Sequence, residues 1–412
     1  MKPRPPLPEG PYLVVGLARS GAAAALMLRE HGDVIGVDRG VRPLESGALK
    51  GSDPFEAHWE SDGVDLLDRA RTVVKSPGVP KEAPVIAAAV ERGLEVVGEL
   101  ELAWRLIPNE FVAVTGTNGK TTTVELLGAM HRAAGVPVAV AGNVGNPLSS
   151  LAGATEPDVV VVCEASSFQL EDTAAFAPEC AVLLNIEPDH IDRHGTFEAY
   201  RDAKLRVFAN QEPGDVAIRP PFPPLPIAEG ELRLRGAHNV ENARAASGAA
   251  LARGLPEQAV AQVLRTFRGV PHRLEDVAEA RGVTWVNDSK ATNVASARVG
   301  IEAFPGGVHL IAGGSLKGGG FEGLRDAVAG RCRAVYLIGE AADRLALDLA
   351  ETGVTLRRSG ELERAVIQAA AVVEPGDVVL LSPACASFDQ FTDFEDRGER
   401  FRRLAQRWAD RG

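Results

Sequence analysis

The apolar run Phe111-Val112-Ala113-Val114 passes directly into Thr115-Gly116-Thr117-Asn118-Gly119-Lys120-Thr121, and the residues beyond it read as a helix. A glycine loop between a strand and a helix gathers backbone N–H groups and a helix N-terminus around one point, which is the geometry of a phosphate site. In such a loop Lys120 reaches the β- and γ-phosphates of a nucleotide and the Thr121 hydroxyl binds Mg²⁺. The longer loop GxxxxGK[ST] would need glycine at position 114, where this chain has Val114. A bare glycine turn is disfavoured, because lysine and hydroxyl follow in the order the phosphates need.

The pattern of strand, turn and helix recurs along the chain. Tyr12–Val15 leads into a glycine turn and an alanine-rich helix, Val34–Val37 ends at Asp38, and Thr72–Lys75 ends in Ser76-Pro77-Gly78. Beyond the glycine loop, Val136–Val140, Val159–Cys163 and Cys180–Asn185 read as strands, as do Val308–Ile311, Ala334–Ile338 and Val378–Leu381 further on. Strands alternating with helices make parallel sheets whose ligands sit at the strand C-termini. With 412 residues, too many for one ordinary domain, the expected fold is α/β in three consecutive domains, at 1–105, 106–270 and 271–412. The outer two are expected to be Rossmann-like and the central one a P-loop-type ATPase. The proline cluster Arg219–Pro226 reads as a stiff surface connection rather than a docking ligand.

Composition narrows the function. A net charge of −12 without a long basic run argues against nucleic acid and against a polybasic membrane patch. No apolar stretch approaches a membrane span, and the proline-rich stretch Met1–Gly10 lacks the apolar core of a signal peptide. The four cysteines, Cys163, Cys180, Cys332 and Cys385, form no CxxC pair and read as free thiols in a reducing, cytoplasmic setting. Of 44 basic residues only eight are lysine. So strong a bias to arginine should leave lysine where a compact amine is needed, because the two side chains are not interchangeable.

Several further segments carry chemistry. In Glu164-Ala165-Ser166-Ser167-Phe168-Gln169-Leu170 a carboxylate at a strand end beside the phosphate loop is placed to hold the metal of MgATP. The segment Asp189-His190-Ile191-Asp192-Arg193-His194 superficially resembles a zinc site, but no cysteine or further histidine completes one. His190 reads better as a ligand or orienter at an Mg²⁺ centre, and His194 as a surface or capping residue. Lys204, in the helical Tyr200-Arg201-Asp202-Ala203-Lys204, is on composition alone a solvated lysine. Asn239 and Asn242 lie three apart on one helix face, where they frame an adenine edge or, for Asn239, cap the helix. In the last domain, Pro271-His272-Arg273, Asn287 to Asn293, Gly313 to Lys317 and Ser382 to Phe391 each follow a strand-like run. Cations, hydroxyls and backbone donors gathered there suit a small dicarboxylate. Nothing in the sequence activates Cys385, which reads as an inert thiol. In the first segment, Gly16-Leu17-Ala18-Arg19-Ser20-Gly21 with Asp38 approximates a dinucleotide fingerprint, but alanine replaces the middle glycine needed for close pyrophosphate approach.

Taken together, GTNGKT, EASSFQLE, DHIDRH, YRDAKLRVF, GAHNVEN, PHRLE, NDSKATN and SPACASFDQF occur in the order seen in the Mur ligases, and the resemblance covers nearly the whole chain. NDSKATN and SPACASFDQF resemble the branch that adds D-glutamate, and no DNPR-type motif of the diaminopimelate-adding relatives is present. The resemblance implies UDP-binding, ATP-binding and amino-acid-binding domains. It also implies a monomer serving peptidoglycan precursor synthesis, hence cell-wall growth, shape and division. ATP would phosphorylate the alanine carboxylate of UDP-N-acetylmuramoyl-L-alanine, and D-glutamate would attack the acyl-phosphate. By the same resemblance, Gly116, Thr117, Asn118, Gly119, Lys120, Thr121 and Thr122 would cradle ATP, with Asn239, Asn242, Arg273 and Asp288 around its nucleoside. Thr121 and Glu164 would hold one Mg²⁺, while His190 and a carbamylated Lys204 would serve a second. Asn143 would approach the reacting carboxylate. Arg19, Ser20, Asp38, Arg39 and Gly78 would bind the UDP-substrate, and Lys290, Thr292, Lys317, Ser387 and Phe394 would surround D-glutamate.

Overall fold

The computed structural model describes residues 2–41, 55–143, 145–234, 236–316 and 320–410. Lys317 therefore lies outside the described residues, as does Val144 beside Asn143.

The strands fall into three sheets taken in chain order. The first contains β1 (Tyr12–Val15), β2 (Val34–Val37), β3 (Glu56–His58), β4 (Thr72–Lys75) and β5 (Glu95–Gly98), all parallel in the order β3-β2-β1-β4-β5. The second contains β6 (Phe111–Thr115), β7 (Val138–Gly142), β8 (Val160–Glu164), β9 (Cys180–Leu183) and β10 (Val216–Ile218), again all parallel, in the order β10-β9-β6-β8-β7. The central strands of both are buried and almost wholly apolar, reading YLVV in β1, FVAVT in β6 and VVVCE in β8, as burial on both faces demands. In each sheet the strand order reverses at one point, between β1 and β4 in the first and around β6 in the second. The crevice outside the carboxyl ends at that point is where an open α/β sheet takes its ligand.

The third sheet holds β11 (Glu275–Ala280), β12 (Val283–Asn287), β13 (Val308–Gly313), β14 (Cys332–Ile338), β15 (Thr355–Gly360) and β16 (Val378–Leu381), ordered β11-β12-β16-β13-β14-β15. Its edge strand β11 departs from a purely parallel pattern by pairing antiparallel to β12. The connection explains the reversal: Arg281 (φ +54°) and Gly282 (φ +74°) are both left-handed, which is the two-residue turn that matches strand twist in a hairpin.

The chain forms two compact units, 1–231 with 241–265, and 232–240 with 266–412. Within the first unit the two sheets share one core, in which the Phe176 ring meets Trp104 at 5.9 Å and Phe111 at 6.3 Å. Helix Glu99–Leu106 forms the seam between them. Glu101 is fully buried, and its carboxylate accepts the backbone N–H groups of Ala174, Ala175 and Phe176 at 2.9–3.2 Å. Glu99 accepts the N–H and the hydroxyl of Ser149, both at 2.7 Å. In the second unit Trp285, Phe401 and Trp408 pack the C-terminal helix Phe394–Asp410 onto the sheet.

The cysteines are free. Burial pushes the Cys180 and Cys332 thiols up to about 12, so neither is a nucleophile at neutral pH. Among the described residues no helix is long and apolar enough to cross a membrane.

Candidate active site

The loop after β6 is held open as a cradle. Gly119 is left-handed (φ +86°) and starts the helix Lys120–Ala133; a Cβ there would lie 2.1 Å from Oδ1 of Asn242, so no side chain fits. The loop backbone is clamped from the β9 side, where Asn118 N–H donates to Asn185 Oδ1 at 2.9 Å and Glu187 N–H donates to Thr117 Oγ1 at 2.9 Å. The Tyr200 hydroxyl lies 2.9 Å from the same Thr117 oxygen.

Lys120 Nζ donates to the carbonyls of Gly116 and Thr117, each at 2.9 Å. Lys204, on helix Phe197–Leu205, donates to the same Gly116 carbonyl at 2.8 Å. It is 2% exposed, and its ammonium lies 4.6 Å from the Tyr200 ring one helical turn back. The solvated-lysine expectation thus gives way to a buried amine. Burial first, and then the neighbouring Lys120 charge, lower the Lys204 pKa to about 7, against the opposing pull of Asp189 and Glu164.

Register aligns β6 with β8 so that Val114 stands opposite Glu164, placing the phosphate loop and the carboxylate at one sheet end. The Glu164 carboxylate is buried, accepting the Thr121 hydroxyl on Oε2 at 2.8 Å and the Asn143 amide on Oε1 at 3.0 Å. A hydroxyl and a carboxylate set side by side at a phosphate loop form an oxygen-only donor pair, which fits Mg²⁺ completed by phosphate oxygens and water. Thr122 is buried beside Thr121 in the first helical turn.

His190 lies on the segment that follows β9. It takes a left-handed conformation (φ +51°) ahead of the short helix Ile191–His194, with its ring centroid 4.9 Å from that of Phe168 and Nε2 3.5 Å from Asp189. Among the described residues no three His, Cys, Asp or Glu side chains converge as a metal cluster. His194 is not a surface residue. It is 6% exposed, stacks on Phe168 at 5.2 Å and 9°, and approaches Ser167 Oγ at 3.0 Å. Its own segment is too polar to announce this burial, because the apolar partner, Phe168, comes from a different strand end. Phe168 and Tyr200 are also the residues that sequence reasoning passed over. For Tyr200 the signal was present, four residues before Lys204 on one helix face.

In the first sheet, Gly16 (φ +86°) and Gly21 bring the turn after β1 against Ser76, whose hydroxyl donates to the Gly16 carbonyl at 2.6 Å. Asp38 accepts Leu17 N–H at 2.6 Å and Gly40 N–H at 2.7 Å, so part of its role is to shape this loop. Arg19 is exposed and reaches the Gly145 carbonyl at 3.2 Å, beside the Asn143 turn. Ser20 is half-buried, while Arg39 and Gly78 are exposed at the same strand ends, where a Cβ at Gly78 would meet nothing within 4 Å.

In the second unit, Asn239 and Arg273 line one cleft together with Arg233 and Arg268. Asp288 is enclosed at the end of β12, accepting the Ser382 hydroxyl at 2.6 Å and the Leu274 N–H at 3.3 Å. Burial raises its pKa to about 7. β12, β16 and β13 are neighbours, and their following loops lie together: Ser315 bridges to Ala386, and Ala384 N–H donates to the Ala291 carbonyl at 2.9 Å. Lys290 Nζ lies 5.6 Å from the Phe394 ring, Ser387 is buried and Thr292 half-buried.

Arg397, which sequence reasoning did not single out, organises these loops. Its fully buried guanidinium donates to Ser289 Oγ (2.9 Å), the Ser289 carbonyl (2.8 Å), the Ala386 carbonyl (3.2 Å) and the Cys385 carbonyl (3.1 Å). Burial pushes its pKa down to about 10.

Three family models match consecutive stretches: the Mur ligase MurD-like N-terminal domain over residues 11–98, the Mur ligase middle domain over 114–220 and the Mur ligase glutamate ligase domain over 272–385. The UDP-N-acetylmuramoylalanine--D-glutamate ligase of Acidobacterium capsulatum is 43% identical, with 95% of each chain covered. The like-named protein of Geobacter metallireducens is 41% identical over 95% of this chain and 96% of its own. Among solved structures, the UDP-N-acetylmuramate-alanine ligase MurC of Thermotoga maritima matches with a TM-score of 0.58 at 18% identity, covering 97% of this chain and 99% of that one. The MurF ligase of Thermotoga maritima in complex with ADP gives 0.54 at 19% identity, covering 92% and 95%. At these identities the two structures speak for the fold, and the sequence relatives carry the kinship: the chain belongs to the Mur ligase family.

Proposed function

We propose that this chain is an ADP-forming ligase that uses ATP and Mg²⁺ to join D-glutamate to UDP-N-acetylmuramoyl-L-alanine. It would act as a cytoplasmic monomer in peptidoglycan precursor synthesis. The observation that carries the reading is the convergence of Lys120 and Lys204 on the Gly116 carbonyl, with Thr121 bonded to Glu164 beside them at one phosphate loop, in a chain 43% identical to a relative named for this reaction.

The substrate's alanine carboxylate attacks the γ-phosphoryl group of ATP, the bond to the bridging oxygen breaks and ADP leaves; the amine of D-glutamate then attacks the acyl-phosphate carbonyl, gives up a proton, and inorganic phosphate leaves. Lys120, whose ammonium rests on loop carbonyls, turns to the β- and γ-phosphates and stabilises the charge that develops in transfer. The backbone N–H groups from Gly119 to Thr122 hold the phosphates, while Gly116, Thr117 and Asn118 shape the loop around them, the last two with their N–H groups given to Asn185. Thr121 and Glu164 would hold one Mg²⁺, and His190 with a carbamate on Lys204 would serve a second; metal held there would neutralise charge on the phosphoryl oxygens. Asn143 exchanges its hydrogen bond to Glu164 for one to the reacting carboxylate. Asn239, Asn242, Arg273 and Asp288 hold the nucleoside, and Arg19, Ser20, Asp38, Arg39 and Gly78 the UDP group. Lys290 and Lys317 oppose the carboxylates of D-glutamate, with Thr292, Ser387 and Phe394 around it.

The test is phosphate release from ATP and Mg²⁺ with UDP-N-acetylmuramoyl-L-alanine and each of D-glutamate, L-glutamate, L-lysine and diaminopimelate. Release with D-glutamate alone is expected. Release with another acceptor keeps the chemistry and overturns the amino acid, and release with none overturns the ligase reading.

A further inference from the structure

The turn after β4 and the turn that carries His190 belong to different sheets, yet they share hydrogen bonds. The Val79 carbonyl, one residue past Gly78, accepts Arg193 Nη2 at 2.7 Å and Lys75 Nζ at 3.1 Å. Both cations also meet one carboxylate, Glu171 Oε1, at 3.3 Å from Arg193 and 3.4 Å from Lys75, while Asp172 pairs with Lys75 at 2.7 Å. Lys75 is 1% exposed and Arg193 is also largely enclosed, so these charges are shielded from solvent and salt. From Arg193 the connection continues to the metal side. Its guanidinium lies 5.3 Å from the Phe168 ring centroid, and that ring packs against His190 at 4.9 Å and His194 at 5.2 Å.

We infer that Arg193 is a positioning residue that couples the two substrates: it ties the UDP-side turn at Gly78-Val79 to the metal-side turn at His190, so that filling one orders the other. Lys75 is its buried partner, holding Glu171 where both turns need it. The inference rests on the ligand assignment proposed above. Arg193 touches neither substrate in this scheme. Its contribution is therefore a coupling factor rather than direct binding, and the factor must be the same whichever ligand is added first.

The test is isothermal titration of the full-length protein with UDP-N-acetylmuramoyl-L-alanine, with and without Mg²⁺ and a non-hydrolysable ATP analogue, and the reverse titration. In the parent the analogue should tighten binding of the UDP-substrate by a factor of roughly 5 to 150, the usual span of such couplings. In Arg193→Met, which keeps an apolar stem over Phe168, the factor should fall towards one while each ligand alone still binds. Arg193→Lys should restore part of it, and Lys75→Met should lower it as Arg193→Met does. A parent factor of one overturns the inference. So does an Arg193→Met variant that weakens both ligands equally and keeps the factor, the signature of a purely structural role. Should Arg193→Met fail to fold, Arg193→Lys decides. The shorter amine cannot reproduce the guanidinium's reach to both Val79 and Glu171, so a factor equal to the parent's there overturns the inference as well. Binding of neither ligand by the parent would instead overturn the ligase assignment, and the inference with it.

Discussion

Lys120 and Lys204 donate to one acceptor, the carbonyl oxygen of Gly116, at 2.9 and 2.8 Å. Two ammonium groups on one oxygen repel, and the buried one yields. Lys204, lowered to about 7, is about half neutral at pH 7 and increasingly neutral above it. A neutral amine adds CO₂, releasing a proton and leaving an anionic carbamate. With ¹³C-bicarbonate, a carbamate resonance should therefore grow as pH rises through 7 and be missing from Lys204→Ala. That variant should be inactive and partly rescued by short carboxylates. A parent without the resonance at pH 8 would remove the carbamate.

Lys120→Ala should lower turnover on the order of 10³-fold, the scale for losing one preorganised charge-stabilising donor. It should also move the midpoint of the Lys204 carbamate titration to higher pH, because the Lys120 charge is the second cause of the depressed pKa. Full activity in phosphate-release assays would end the phosphate-loop role.

Tyr200→Phe deletes the hydroxyl that meets Thr117 Oγ1 at 2.9 Å. One such bond contributes about 0.5–1.5 kcal/mol, so the KM for ATP should rise about 2- to 10-fold with little change in Tm. A Tm loss without a change in KM would relegate Tyr200 to packing.

Asp288 makes a prediction about stability. Its folded pKa, about 7, lies above the ordinary 3.8, so the folded state keeps a proton that the unfolded chain gives up. The associated stability is full below about pH 4 and is lost as pH rises to about 7, beyond which the contribution is flat. Asp288→Asn should remove that component. The Tm of the parent relative to the variant should fall between pH 4.5 and 7.5, and parallel Tm profiles would contradict the enclosed, proton-holding carboxyl.

What could be read from the sequence divides along physical lines. The inner strands were legible, Tyr12–Val15, Phe111–Thr115 and Val378–Leu381 among them, because burial on both faces writes an unbroken apolar run. The polar edge strands were not, although the apolar edge strand β7 was. Thr355–Gly360 reads TLRRSG and Glu275–Ala280 reads EDVAEA, sequences whose exposed faces are polar and whose pairing is set by the neighbouring strand. Within the site, the loop from Gly116 to Thr121 was legible because its spacing is local. The burial of Lys204 and His194 was not, since each is covered by residues from other elements. Nor was the hub at Arg397, which reaches back more than a hundred residues to the hydroxyl and carbonyl of Ser289.

The seam at helix Glu99–Leu106 has a consequence for how such a protein can be cut and recombined. A fragment ending at Arg105 would carry Glu101 away from the three N–H groups it satisfies and strip Trp104 from Phe176, leaving a buried carboxylate and a large ring facing water. The first sheet is therefore a poor cassette: exchanging it between relatives at that junction transplants one half of an interface. A chimera that also takes residues 149 and 174–176 from the same parent restores the match, and it is the crossover we would expect to express as soluble protein.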